Sequence, residues 1–250
     1  MRTIAVIQAR MGSTRLPGKI LELIEGRPLL HWTIAAVRAI PAVDDLVLAT
    51  SDQPSDDPVA EEMQRIGVRV HRGPVQDVLR RVANAVRPLD PDVVLRQTGD
   101  NPFIDPEVMA AQLARLDEGP FDYVGIAGLP LGIGGEAVRA EVLRIADREA
   151  TEPADREHVL PFVYARPERF AIGSVGSADR ASRGRYTVDT PADLAFARGL
   201  AERLPDDRPA RLADLEAIVA ASPELAALNA GVEQRGPTSA QLAGEANRQA

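Results

Sequence analysis

The sequence predicts an α/β fold with a mainly parallel central sheet covered by helices on both faces, and three observations carry that prediction. Short apolar, β-branched runs alternate along the chain with stretches of helical periodicity. Short polar loops join them. The apolar runs also end in small or acidic residues, as in Thr50-Ser51-Asp52 and Gly99-Asp100, at the strand C-terminal edge where open parallel sheets bind ligands.

Residues 3–7 are a short β-branched run suited to a strand buried on both faces. A helix is predicted over 28–40, with Leu29, Leu30, Thr33, Ala36, Val37 and Ile40 on one side. His31 and Trp32 within it read as packing residues. Residues 46–49 form the second strand. Asp57-Pro58 opens the next helix, with an N-cap and a first-turn proline, and Gly67 closes it. A strand over 68–71, a helix over 75–86 and a strand over 93–95 follow, and Asp105-Pro106-Glu107 starts another helix.

The middle of the chain, residues 121–164, is less regular. Gly132, Gly134 and Ala137 match a G-x-G-x-x-A dinucleotide fingerprint, but Gly128 and Pro130 interrupt any strand leading into it. The stretch reads instead as a flexible substrate loop presenting Glu136. Helices are predicted over 139–147 and 155–164. Residues 186–188 read as a strand ending at Asp189, with Thr190, Pro191 and Asp193 capping the helix that follows. Residues 1–228 are expected to form one domain, with 205–228 as a helical extension. Residues 229–250, poor in apolar side chains, are expected to be a disordered tail.

A net charge of −8 over 250 residues argues against a general nucleic-acid binder. The absence of cysteine removes disulfide, zinc-thiolate and thiol-nucleophile chemistry. The N-terminal apolar run is too short for a signal peptide and no later run approaches spanning length, so the expectation is a cytoplasmic protein without membrane contact.

Against that acidic background, residues 8–19 place Arg10, Arg15 and Lys19 with Gly12 and Gly18 directly behind the first strand. Glycine lets backbone N–H groups approach a ligand, and the cations neutralise phosphate charge. The loop is not a P-loop. Five residues separate Gly12 from Gly18, and Lys19 is followed by Ile20, which offers no hydroxyl for magnesium. Metal ligands must therefore come from elsewhere. Asp100 and Asp189, each expected at a strand C-terminus, could together hold Mg2+ through oxygen. The sequence shows neither a glycine-flanked nucleophilic serine nor a metalloprotease motif.

The stretches QARMGSTRLPGK, RGPVQDVLRR, RQTGDNPFIDP, PLGIGGEAV, DREHVLPF and RYTVDTPADL, in this order, closely resemble the SpsF-like cytidylyltransferases, relatives of the CMP-sialic acid and CMP-Kdo synthetases. The similarity spans roughly residues 3–204. It implies a Rossmann-like, GT-A-like nucleotidyltransferase fold in three layers, CTP as donor, Mg2+, a small anionic acceptor such as a sugar acid or phosphonate, and a homodimer. Carried over by position, it implies that Arg10, Gly12, Ser13, Arg15 and Lys19 hold the triphosphate. Ser51, Asp52, Gly73, Asp77 and Gln97 would frame base and ribose, and Asp100 and Asp189 the metal. Glu136, Arg156, Glu157 and His158 would shape the acceptor site. Two departures stand out. Gly73-Pro74 replaces the usual Gly-Ser, and Leu160 stands where threonine is common, which makes that wall more apolar. The rival readings are a nucleotide-sensing or scaffold protein without turnover, and an NAD-dependent oxidoreductase using the glycines at 132–135.

Overall fold

In the computed structural model, which describes residues 1–177, 184–205 and 208–234, β1 (Thr3–Gln8) leads through the basic loop and a 3₁₀ turn (Lys19–Leu21) into a small ribbon, β2 (Leu23–Ile24) with β3 (Arg27–Pro28). There follow α1 (Leu29–Arg38), β4 (Asp45–Ser51), α2 (Asp57–Arg65), β5 (Arg69–Gly73), α3 (Val78–Val86), β6 (Val93–Thr98) and α4 (Pro106–Glu118). The second half adds β7 (Tyr123–Ala127), β8 (Glu136–Arg139), α5 (Ala140–Glu149), α6 (Pro153–His158), α7 (Pro161–Tyr164), β9 (Ile172–Gly176), α8 (Pro191–Ala201), α9 (Leu212–Ala221) and α10 (Pro223–Ala227).

Seven strands form one sheet in the order β5-β4-β1-β6-β8-β7-β9. All pairs are parallel except the two that β8 makes, with β6 and β7. Strand β1 is buried from Thr3 to Ile7, and its side chains alternate between two cores. Ile4 and Val6 pack with α3, α5 and α7 on one face; Ala5 and Ile7 pack with α1, α2 and α4 on the other. The three-layer α/β architecture is therefore as the sequence predicts. A third cluster joins α8, α9 and α10 to Phe103 and Ile133.

From β1 the chain builds outward through β4 to β5, then returns to place β6 on the other side of β1. This reversal leaves a crevice at the C-terminal ends of β1 and β6, the position where such sheets bind ligands. Gly99 lets the two strand ends close up, because a Cβ there would lie 2.7 Å from the Ala9 side chain.

Three expectations are corrected. The irregular stretch 121–164 contains two sheet strands, β7 and β8, with β9 completing that edge; Gly125, Gly134 and Gly135 break the β pattern in the sequence because close packing against Tyr123, Ile126 and the β6 backbone leaves no room for side chains. Residues 186–188 are not a strand. Arg185 makes an isolated bridge to Leu131, while Val188 donates to the Asp100 carbonyl, so this segment pairs with loops rather than with a strand edge. The helix expected over 155–164 is two, α6 and α7, broken at Val159, which has φ of +80°. Pro161 in the first turn of α7 disfavours helical geometry just before it.

Within the expected extension, residues 212–227 form the two helices α9 and α10. Asn229 and the residues to 234 are also described, and Asn229 is buried against Arg185 and Asp193; residues 235–250 of the expected tail lie outside the described residues. Among the described residues no helix is long and apolar enough to cross a membrane.

Candidate active site

The crevice at the ends of β1 and β6 is a cleft of about 410 Å³. The loop after β1 supplies one wall through Arg10, Gly12, Ser13, Thr14, Arg15 and Lys19, and the end of β6 supplies Thr98, Gly99 and Asp100. Asp189, the α3 residues Val78 and Arg81, and Glu157 with His158 from α6 complete it.

The basic loop is held by local chemistry. The Met11 N–H donates to Asp56 Oδ1 at 2.7 Å, while the other oxygen of that buried carboxylate accepts from the Ser51 N–H, the Ser51 hydroxyl and Thr50 Oγ1. Gly18, at φ of +74°, then turns the chain into the 3₁₀ element that carries Lys19 inward.

Lys19 is the hub of the cleft. Its buried ammonium donates to Asp100 Oδ2, Asp189 Oδ1 and the Val188 carbonyl, each at 2.7 Å, so all three of its protons are used on protein oxygens. Burial works against the charge, yet the two carboxylates outweigh it and hold the lysine above its ordinary pKa. Asp189 is held below the ordinary carboxylate value: burial opposes this, but Lys19, Arg185 and Arg15 prevail. Arg185 reaches Asp189 Oδ2 at 2.6 Å and Arg15 reaches it at 3.1 Å. Asp193 takes the Asp189 N–H at 3.0 Å and the Arg185 Nε at 2.9 Å, fixing both.

Asp100 and Asp189 thus converge on one cation, the Lys19 ammonium. Among the described residues no group of three or more histidine, cysteine or acidic side chains gathers as a metal cage. Two carboxylates facing one point are oxygen donors of the kind a hard divalent ion takes, and in this structure that point holds the Lys19 ammonium.

The other predicted residues fall into two groups. Arg10, Gly12, Ser13, Arg15, Lys19, Asp100, Asp189, Glu157 and His158 line the cleft. Ser51, Asp52, Gly73, Asp77, Gln97, Glu136 and Arg156 do not, and Gly73, Asp77 and Arg156 stand behind lining residues of α3 and α6. Ser51 braces Asp56, and Asp77 caps α3 while Arg156 grips both its oxygens at 2.8 and 2.6 Å. Gly73 gives room to Arg81, whose Cγ would lie 3.2 Å from a Cβ there. Gln97 is buried, and its Nε2 has no hydrogen-bond partner.

Glu136 is not presented by a flexible loop. It starts β8, is 4% exposed, pairs with Arg96 and accepts from the Tyr123 hydroxyl at 2.9 Å. Antiparallel pairing with β6 turns its carboxylate inward. Leu160 is likewise in the core rather than on the cleft wall, so its replacement of threonine does not make that wall apolar. The fingerprint glycines offer no pyrophosphate cradle: Gly132 packs on the backbone of Tyr186 and Thr187, Gly134 on Ile126, and a strand rather than a helix follows.

Sequence reasoning passed over Arg81, Asp56 and Arg185, and read Asp193 only as the helix cap that it also is. For Arg81 a signal was present: it lies at i+3 from Val78 and i−4 from Ala85, a cation on the apolar face of α3.

A cytidylyltransferase family model matches residues 4–232. The spore coat polysaccharide biosynthesis protein SpsF of Bacillus subtilis (strain 168) is 37% identical over 206 residues, covering 79% of this chain and 85% of that protein. A 3-deoxy-manno-octulosonate cytidylyltransferase of Anaeromyxobacter sp. (strain K) is 30% identical over 247 residues, covering 80% of this chain and 98% of that one. Among solved structures, a cytidylyltransferase from Leptospira borgpetersenii serovar Hardjo-bovis (strain JB197) superposes with a TM-score of 0.84 at 24% identity, covering 95% of this chain and all of that one.

Proposed function

This chain belongs to the cytidylyltransferase family, and from that premise we propose that it transfers CMP from CTP to a small anionic acceptor, a sugar acid or a phosphonate, using Mg2+ and releasing pyrophosphate. The observation that carries the reading is the convergence of Asp100 and Asp189 on one cation beside the basic loop, at the switch point of the sheet.

In this reading the acceptor oxygen attacks the α-phosphorus in line. The new oxygen–phosphorus bond forms as the bond to the α,β-bridging oxygen breaks, and pyrophosphate leaves with that electron pair. Asp100 and Asp189 would hold Mg2+, which when bound would supply charge against the triphosphate and the leaving pyrophosphate. Gly12 and Ser13 offer backbone and hydroxyl donors, and Arg10 and Arg15 offer charge, so that catalysis is positioning and electrostatics. Lys19, held between the same two carboxylates, would add its charge to that of Arg10 and Arg15. Glu157 and His158, at the α6 end of the cleft, face the acceptor, with Arg156 bracing them through Asp77 and Asp147. Homodimerisation and a cytoplasmic setting complete the proposal.

The experiment is a panel of candidate acceptors incubated with CTP and magnesium, scored by pyrophosphate and by the mass of the CMP-linked product. Product with one acceptor class supports the proposal. CTP binding without pyrophosphate release for any acceptor favours the nucleotide-sensing reading instead.

A further inference from the structure

We propose that Arg81 is a phosphate-binding residue of the cleft, and that it and Arg10 form the cation pair that first receives the nucleotide's phosphates; this rests on the nucleotidyl-transfer reading of the site.

The cations around the cleft divide into two sets. Arg15, Lys19 and Arg185 are ion-paired to Asp100 or Asp189, so their charge is already balanced by protein. Arg156, behind α6, is balanced by Asp77 and Asp147. Arg81 is different. It is 2% exposed yet lines the cleft, and among the described residues no carboxylate forms an ion pair with it. Its Nη1 donates to the carbonyls of Pro74 and Val75 at 2.6 and 3.2 Å, which fixes the guanidinium plane. Its Nε is buried with no hydrogen-bond partner among the described residues.

A buried, unpaired guanidinium is costly, and an unpartnered donor beside a cleft is the usual mark of a ligand position. Arg10 lines the same cleft, and burial and then the Arg10 charge lower the Arg81 pKa against the pull of Asp56, Asp52 and Asp77; an anion bound to both cations would relieve their repulsion. The His71 pKa is lowered by burial and then by the charge of Arg81. Phosphate matches this locus in charge, and its oxygens match the free guanidinium edge in geometry. The Gly73-Pro74 pair fits the same purpose: Gly73 clears space for the Arg81 stem, and Pro74 contributes the carbonyl that orients it, a role that neither its missing N–H nor its missing hydroxyl affects.

The test is calorimetric titration of the full chain with inorganic pyrophosphate, CTP and cytidine, without divalent metal, for the wild type, Arg81→Met and Arg81→Lys, with thermal unfolding recorded for each. Arg81→Met is expected to weaken pyrophosphate and CTP at least ten-fold while leaving cytidine unchanged, and Arg81→Lys to lie between. In the wild type, pyrophosphate should raise the His71 pKa seen by NMR, because the bound anion offsets Arg81; this arm needs no variant to fold. Unchanged pyrophosphate affinity in both variants, an unmoved His71, or an equal loss for cytidine overturns the inference. If the wild type binds neither CTP nor pyrophosphate, the nucleotide reading falls and this inference with it.

Discussion

The backbone N–H of Val188 donates to the carbonyl oxygen of Asp100 at 2.9 Å, and this bond brings the two acidic residues of the cleft to the same ammonium. Thr187 Oγ1 reaches that same carbonyl at 3.4 Å, so the segment before Asp189 is pinned to the end of β6 rather than to a strand edge. The candidate metal site is therefore assembled by a loop–loop contact.

Replacement of Asp100 or Asp189 by Asn should abolish magnesium-dependent pyrophosphate release, with circular dichroism unchanged. The double variant should be scarcely worse than either single one, because each removal already disables the shared site. Additive losses, or a single variant with full activity, would refute the shared role.

Lys19→Met should lose both turnover and stability. As a loop residue read from sequence it would be expected to spare the fold, but its ammonium is buried and separates two carboxylates. Removing one partner of a buried ionic cluster costs about 3–5 kcal/mol. Added magnesium should recover part of the lost melting temperature by taking the vacated place, and a thermal shift series with EDTA and Mg2+ checks it. No recovery would mean that the two carboxylates do not take the ion.

The contribution of this cluster to stability should be flat across neutral pH. Lys19 is raised above 10.5 in the folded chain, so its share is complete below 10.5 and is lost as pH climbs through the folded value. Asp189 is lowered below 3.8, so its share is complete above 3.8 and is lost as pH falls through its folded value. Urea midpoints compared between wild type and Asp189→Asn across pH should converge at the acid extreme and draw closer again as pH climbs through the folded Lys19 value.

Val159→Gly should be at least as stable as Val159→Ala. Val159 is buried at φ of +80° and ψ of −59°, and the Leu160 N–H bonds back to the His158 carbonyl at 3.1 Å, a strained γ-turn beside a cleft residue. Both substitutions lose packing, but only glycine relieves a strain of order 1–3 kcal/mol. Elsewhere glycine is the poorer of the two by about 0.5–1 kcal/mol. Urea unfolding of the pair decides it; the ordinary ranking would remove the strain, and with it any need to explain why His158 sits where it does.

Much of the first half of the chain was legible from periodicity, because β1, β4, β6 and the helices α1 to α4 are each specified by contiguous residues with one buried face. Sequence fixed neither β8 nor β9 in this way. Their residues are shaped by neighbours, as where Gly135 accommodates the β6 backbone and Gly173 the Phe121 ring, and glycine carries no periodic signal. The site was half legible for a related reason. Charge and glycine content marked the basic loop, and the ends of apolar runs marked Asp100.

What the sequence by itself determined is the α/β class, the basic loop behind β1 and Asp100 at the end of an apolar run, since each follows from local pattern and chemistry, whereas Asp189 is placed by the Val188–Asp100 contact. What only the tertiary structure decided is who partners whom: Lys19 bound by both aspartates, Glu136 turned inward to Arg96 and Tyr123, and Arg81 left unpaired on the inner face of α3. Ion pairing and burial depend on distances between residues far apart in the chain, and those distances exist only once the sheet order and the packed helices have set them.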